Sequence, residues 1–179
     1  RVSVIENEII EPYDLAKEYG WKALVANHNS DIAIKYLKNI KPSIGIILGA
    51  RLLSKNIIDN FSQGIINFHP GVLPENRGLD NLKWAIYNNL PQGVTTHFID
   101  ENIDVGYEIY KELIEIDTDD TLYDVNSKLF DLQMVHLKKL ISDNFNVDNL
   151  KSLASNYNSQ KSVNDEIDEK VFSLFENYK

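Results

Sequence analysis

The sequence predicts an α/β fold: a Rossmann-like mixed, mostly parallel sheet with helices on both faces. Three observations predict it. Short β-branched runs at 44–48, 64–68 and 94–99 alternate with stretches of helical period. The run Ile-Gly-Ile-Ile-Leu at 44–48 is apolar on both faces, as in a central strand covered from both sides. The chain has 179 residues, 43% of them hydrophobic, which suffices for one continuous core.

Residues 2–5 read as a strand, Pro12 precedes a helix over 13–19 that Gly20 ends, and 22–26 read as a second short strand. Asn29-Ser30-Asp31 supplies a cap, and Ile32, Ile34, Tyr36, Leu37 and Ile40 form an apolar stripe that stops before Pro42. A short helix over 54–61, a strand over 64–68 and a helix over 80–88 follow. Pro91-Gln92-Gly93 then turns the chain into a strand at 94–99 with polar alternation, and 107–116 form a further strand or strand pair. Asp117-Thr118-Asp119-Asp120 is expected to cap a long helix whose apolar positions Leu122, Val125, Leu129, Leu132, Val135 and Leu140 recur at three and four. Between 142 and 165 the composition shifts to Asn, Ser and Asp, which predicts a loosely packed connection. Ile167, Val171, Leu174 and Tyr178, with Phe172 and Phe175, then make a last amphipathic helix whose stripe must be buried against this chain or another. The organisation expected is a core over 1–143 and a polar connection with its helix over 144–179.

Acidic side chains number 27 and basic ones 18, a net charge of −9, which opposes indiscriminate binding to nucleic acid or anionic membrane. The absence of cysteine excludes disulfides, a thiolate nucleophile and cysteine-ligated zinc. No stretch reaches the roughly 18 apolar residues of a membrane helix. These features predict a soluble, cytoplasmic protein with no nucleic-acid or membrane partner. Helix capping accounts for Asp117 to Asp120, so no metal is predicted. His28 and His136 have no partner at recognisable spacing and are assigned to the surface or a helix face, and Trp21 and Trp84 to packing.

Polar residues suited to chemistry gather between Gly64 and Gly106. In Asn67-Phe68-His69 the period of a strand puts the amide and the imidazole on one side and Phe68 on the other. An amide offers fixed donors and an imidazole a donor or acceptor, which is what tetrahedral chemistry at a carbonyl requires. A lone Asn-x-His at a strand end is usually structural, so its neighbours matter. Arg77-Gly78 offers a cation suited to a phosphate or carboxylate, and a Gly-bounded loop carries His97 and, seven residues on, Asp104.

Together these residues resemble the folate-dependent formyltransferase family. The resemblance rests on Asn67-Phe68-His69-Pro70-Gly71-Val72-Leu73-Pro74, Arg77-Gly78, Trp84-Ala85-Ile86, Gly93-Val94-Thr95-Thr96-His97 and Asp104-Val105-Gly106. It extends upstream through Gly49-Ala50-Arg51-Leu52-Leu53 and downstream through Asp119-Asp120-Thr121-Leu122. It implies a formyltransferase catalytic core that moves a formyl group from 10-formyltetrahydrofolate to an amine. By the same resemblance Asn67, His69 and Asp104 are the catalytic trio: Asn67 and His69 stabilise the oxyanion, and His69 or Asp104 accepts the proton. Ala50, Arg51, Leu52, Leu53, Ile99, Asp100 and Asp104 line the folate site, and His97, Gly71 and Arg77 are supporting or acceptor-side residues.

Among the family's branches, Arg77-Gly78 favours enzymes acting on nucleotide-linked amino sugars. Glycinamide ribonucleotide is the next acceptor. The methionyl-tRNA branch ranks last, because its usual additional domain exceeds this length and the charge opposes tRNA. An inactive binding subunit and hydrolysis of the folate are the remaining alternatives. The resemblance also implies a homodimer, to which the last helix's stripe contributes, and places the family's first strand ahead of Arg1. Gly71 departs from the serine common in relatives, and Tyr107 from the smaller residues common there.

Overall fold

The computed structural model describes residues 11–49, 52–102, 104–147, 150–153 and 156–179. The strand expected at 2–5 lies outside them. Helices α1 (Pro12–Glu18) and α2 (Asp31–Ile40) lead into β1 (Ile44–Ile47), followed by α3 (Lys55–Ile58), β2 (Gly64–His69), α4 (Asn81–Asn88) and β3 (Gly93–Ile99). Then come β4 (Gly106–Leu113), α5 (Leu122–Ser142), β5 (Lys151–Ser152) and α6 (Asp165–Tyr178). The strands lie in sequence order in one sheet, β1 parallel to β2 and the other three pairs antiparallel. The mixed sheet is as predicted, but among the described strands it is mostly antiparallel. Alternation of strands and helices suggests parallel crossovers, whereas strand direction depends on where each connection re-enters, which hydrophobic periodicity does not encode.

Local signals account for most elements. Pro12 opens α1, Ser30 caps α2 by accepting from the Ala33 amide, and Thr121 with Asp124 forms a reciprocal capping box on α5. The cap of α5 is therefore Thr121. Asp120 instead accepts from the Asp117 amide and pairs with Lys128 at 2.6 Å.

Two readings of the N-terminal part differ from the structure. Residues 22–26 form no strand, because they pair with no strand among the described residues, and Val25 is 87% exposed. Among the described strands the run at 44–48 lies at the edge of the sheet, bonded to β2, and Ile46 is 40% exposed. None of the apolar residues of α2 is fully buried.

The core lies further on. Ile66, Phe68 and Leu140 form one cluster and Val94, Leu129 and Leu132 another, where α5 packs on β2 and β3. The buried positions of α5 are Val125, Leu129, Leu132, His136 and Leu140, while Val135 is exposed. The helical period was legible, but His136 takes the core place expected for Val135, bonded through Nδ1 to Thr96 Oγ1 at 2.8 Å. Helix α6 closes the molecule: Val171 and Phe175 pack with Ile86 of α4 and Val125 of α5, and Ile167 and Tyr178 flank them. Part of its stripe is thus used within this chain, whereas Phe172 is 63% and Leu174 37% exposed. Truncating Phe175 at such a site costs about 3–5 kcal/mol.

No helix among the described residues is long and apolar enough to cross a membrane.

Candidate active site

Antiparallel pairing of β2 with β3 builds the site. The register sets Asn67 opposite His97 and His69 opposite Thr95, so the four side chains share one face. Phe68 points the other way, into the core. A β-bulge between Thr96 and His97 interrupts the alternation expected on β3, and Val94, Thr95, Thr96 and His97 are all fully buried. Thr95 pins the turn after β2, its hydroxyl donating to the Gly71 carbonyl and accepting from the Leu73 amide.

His97 holds Asn67. Its Nδ1 donates to the Val105 carbonyl at 3.2 Å, which leaves Nε2 as an acceptor for the Asn67 amide nitrogen at 3.4 Å. Burial, reinforced by the facing His69, pushes the His97 imidazole down to about 4, so it stays neutral. The second hydrogen of the Asn67 amide nitrogen remains for the cleft.

Asp104, in a left-handed backbone conformation, reaches back to the loop after β2. Its Oδ2 accepts from the Gly78 amide at 2.7 Å, and its Oδ1 lies 3.5 Å from His69 Nδ1. Asn67, His69 and Asp104, read from the sequence as one constellation, thus meet on one wall of a cleft of about 1280 Å³. Leu52, Leu53, Ile99 and Asp100 line the same cleft. Leu52 is held by His28 and Asn29, which both bond to its carbonyl, so His28 supports a cleft wall. Ala50 and Arg51 lie outside the described residues. Arg77 is buried, donates to the Tyr157 carbonyl and does not line the cleft.

Two contributions were not anticipated. Phe130, Gln133 and Met134 of α5 line the cleft, and Gln133 donates to the Phe68 carbonyl at 2.5 Å. Their i, i+3, i+4 spacing is a signal a second reading of that helix would have found. Ser159 to Ser162 form another wall, from the stretch expected to be a loose connection. That strap bonds as a ladder rung: the Gln160 amide donates to the Arg77 carbonyl at 2.7 Å, and the Leu79 amide to the Gln160 carbonyl at 3.1 Å. Its anchors are backbone atoms, which leave no trace in side-chain pattern. Among the described residues no group of three or more His, Cys, Asp or Glu is placed to hold a metal ion.

An α/β domain with an amide, an imidazole and a carboxylate at the end of one strand pair defines a family. Residues 6–141 match that of the formyl transferases, and the chain belongs to it. A methionyl-tRNA formyltransferase from Clostridium tetani is 32% identical over 133 residues, covering 71% of this chain and 43% of that protein. The chain thus spans about two-fifths of the length of the curated relatives it matches. Among solved structures, a 4-N formyltransferase from Francisella tularensis superposes with a TM-score of 0.66 at 27% identity, over 83% of this chain and 60% of that one. The fold is also that of the formyltransferase PseJ from Anoxybacillus kamchatkensis, solved with UDP-4,6-dideoxy-4-formamido-L-AltNAc and tetrahydrofolate. That match has a TM-score of 0.66 at 21% identity and covers 92% of this chain and 87% of that one.

Proposed function

We propose that this protein transfers a formyl group from 10-formyltetrahydrofolate to the amine of a nucleotide-linked amino sugar. The observation that carries formyl transfer is the convergence of Asn67, His69 and Asp104 on one cleft. The cleft exceeds the roughly 300–1,000 Å³ of a pocket for one small molecule, which supports two ligands meeting in it. Leu52, Leu53, Ile99 and Phe130 suit a flat heteroaromatic ring, so the residues present fit a folate. The folate supplies the formyl carbon: the acceptor nitrogen bonds to it, the bond from that carbon to the folate nitrogen breaks, and one acceptor proton ends on the folate nitrogen.

The chain's own residues have distinct tasks. Asn67, its amide fixed by His97, donates to the oxygen that becomes negative, a contribution of about 3 kcal/mol in a dry site. His69 and Asp104 carry the proton between the two nitrogens. The acceptor assignment is supported by fold neighbours named as a sugar N-formyltransferase or solved with a nucleotide-linked sugar, and by the net charge of −9, which disfavours tRNA. The specific observation favouring methionyl-tRNA is the 32% identity to enzymes of that name.

The test is mass spectrometry of acceptors after incubation with 10-formyltetrahydrofolate. The panel holds nucleotide-linked amino sugars, glycinamide ribonucleotide, methionyl-tRNA and a control without acceptor. A formyl mass gain on an amino sugar, abolished by His69→Ala, is expected. Gain on methionyl-tRNA alone would overturn the acceptor, and free formate alone would replace transfer by hydrolysis. The family resemblance and the exposed Phe172 and Leu174 of α6 support a homodimer, and sedimentation as a monomer at high concentration would refute it.

A further inference from the structure

The ring of His69 lies between two acceptors. Nε2 is 2.8 Å from the Asn76 carbonyl, and Nδ1 is 3.5 Å from Asp104 Oδ1. A carbonyl only accepts, so Nε2 carries a hydrogen and donates it. The Asn76 carbonyl is itself fixed. Asn76 is 1% exposed, its amide donates to the Val72 carbonyl at 2.9 Å and its side chain to the Asn81 carbonyl at 2.9 Å. Asn81 returns a hydrogen bond to that same Asn76 carbonyl at 3.1 Å.

This approach is possible because residue 71 has no side chain. A Cβ on Gly71 would stand 2.8 Å from the Asn76 carbonyl oxygen and 2.8 Å from His69 Nε2, closer than packed atoms tolerate. Moving the ring or moving the loop relieves the clash, and either opens the hydrogen bond. The other imidazole facing His69 is His97, with ring centroids 6.4 Å apart, and its Nε2 is occupied by Asn67. It does not compete for Nδ1.

We propose that Gly71 and the Asn76 carbonyl form a positioning device that locks His69 as its Nε2–H tautomer and dedicates Nδ1 to the proton shared with Asp104. This deepens the formyl-transfer reading and rests on it for its kinetic consequence only. In that reaction the pair of His69 Nδ1 and Asp104 takes one proton from the acceptor nitrogen. It returns one proton to the folate nitrogen as the bond from that nitrogen to the formyl carbon breaks, so the pair ends as it began. Nε2–H stays with Asn76 throughout, and Asn67 is the donor to the oxyanion.

The experiment is long-range nitrogen–proton NMR on the full chain labelled with ¹⁵N-histidine, with the His69 signals identified by their loss in His69→Gln. The Nε2–H tautomer is expected; an Nδ1–H tautomer or an averaged mixture would overturn the proposal. In Gly71→Ala the lock is expected to be lost, with kcat lower on the order of 100-fold and the KM for folate unchanged. An unchanged tautomer and kcat in that variant would also overturn it. If the variant does not fold, the tautomer of the parent protein decides alone. An Nε2–H tautomer in a protein that formylates no acceptor would leave the device standing and sink the reaction instead.

Discussion

Two polar segments meet at Gly78 and Gln160, and they are held in opposite ways. In the block 67–78 the side chains hold one another and the turn: Asn67 bonds to His97, His69 faces Asp104, and Asn76 crosses to Asn81. In the strap 156–163 the anchors to the described residues run through backbone atoms of the strap. Tyr157 and Lys161 lend their carbonyls to Arg77 and Trp84, Gln160 pairs with Arg77 and Leu79, and the Val163 amide donates to Asp80. The difference separates two tasks. Where side chains are consumed in fixing one another, geometry is precise enough for chemistry but intolerant of change. Where the backbone does the fixing, side chains such as Gln160 and Lys161 stay free to face a ligand and to vary.

The largest expected effect sharpens this contrast. His69→Ala should lower kcat/KM by about 10²- to 10⁴-fold and also lower the thermal midpoint, because the ring is buried and donates to the Asn76 carbonyl, as measured by formyl-product mass and calorimetry. A loss of only a few-fold would break the comparison from the side of the block. Next is Gly78→Ala, which attacks the seam. Gly78 has φ +103°, and a Cβ there would stand 2.1 Å from the Gln160 carbonyl oxygen. Strain of this kind costs on the order of 1–3 kcal/mol. The variant should lower the denaturant midpoint and strip hydrogen-exchange protection from the amides of Gln160 and Leu79. Retained protection would mean that the strap is anchored elsewhere.

A smaller effect comes from the buried His97. Its folded pKa of about 4 lies below the ordinary value of 6.5, so between these values the unfolded chain binds the extra proton. Stability should therefore be complete above pH 6.5 and fall as pH drops toward 4, and the slope should flatten in His97→Gln. Urea midpoints across that range decide the matter, and identical slopes in both proteins would show that burial does not govern this ring. The smallest effect belongs to the strap. Gln160→Ala removes no anchoring atom and should change stability by less than about 0.5 kcal/mol. Any kinetic change should sit in the acceptor's KM. A fall in kcat comparable to that of His69→Ala would erase the distinction between the segments.

By itself the sequence determined what short-range physics controls. Pro12, Ser30 and the Thr121–Asp124 box set helix starts, and strand period put Asn67 and His69 on one face with Phe68 opposite. The trio with Asp104 was legible as a resemblance, because its residues stand in ordered, closely spaced blocks. Tertiary structure alone decided the rest. It set the antiparallel direction of β3, the place of His136 in the core instead of Val135, and the burial of Arg77 away from the cleft. It also turned an Asn- and Ser-rich stretch into a wall of the site. The physical reason is the same in each case. Side-chain pattern encodes which face of a local element is apolar, whereas backbone hydrogen bonds and buried polar partnerships join residues far apart in the chain, and every residue type can make the former.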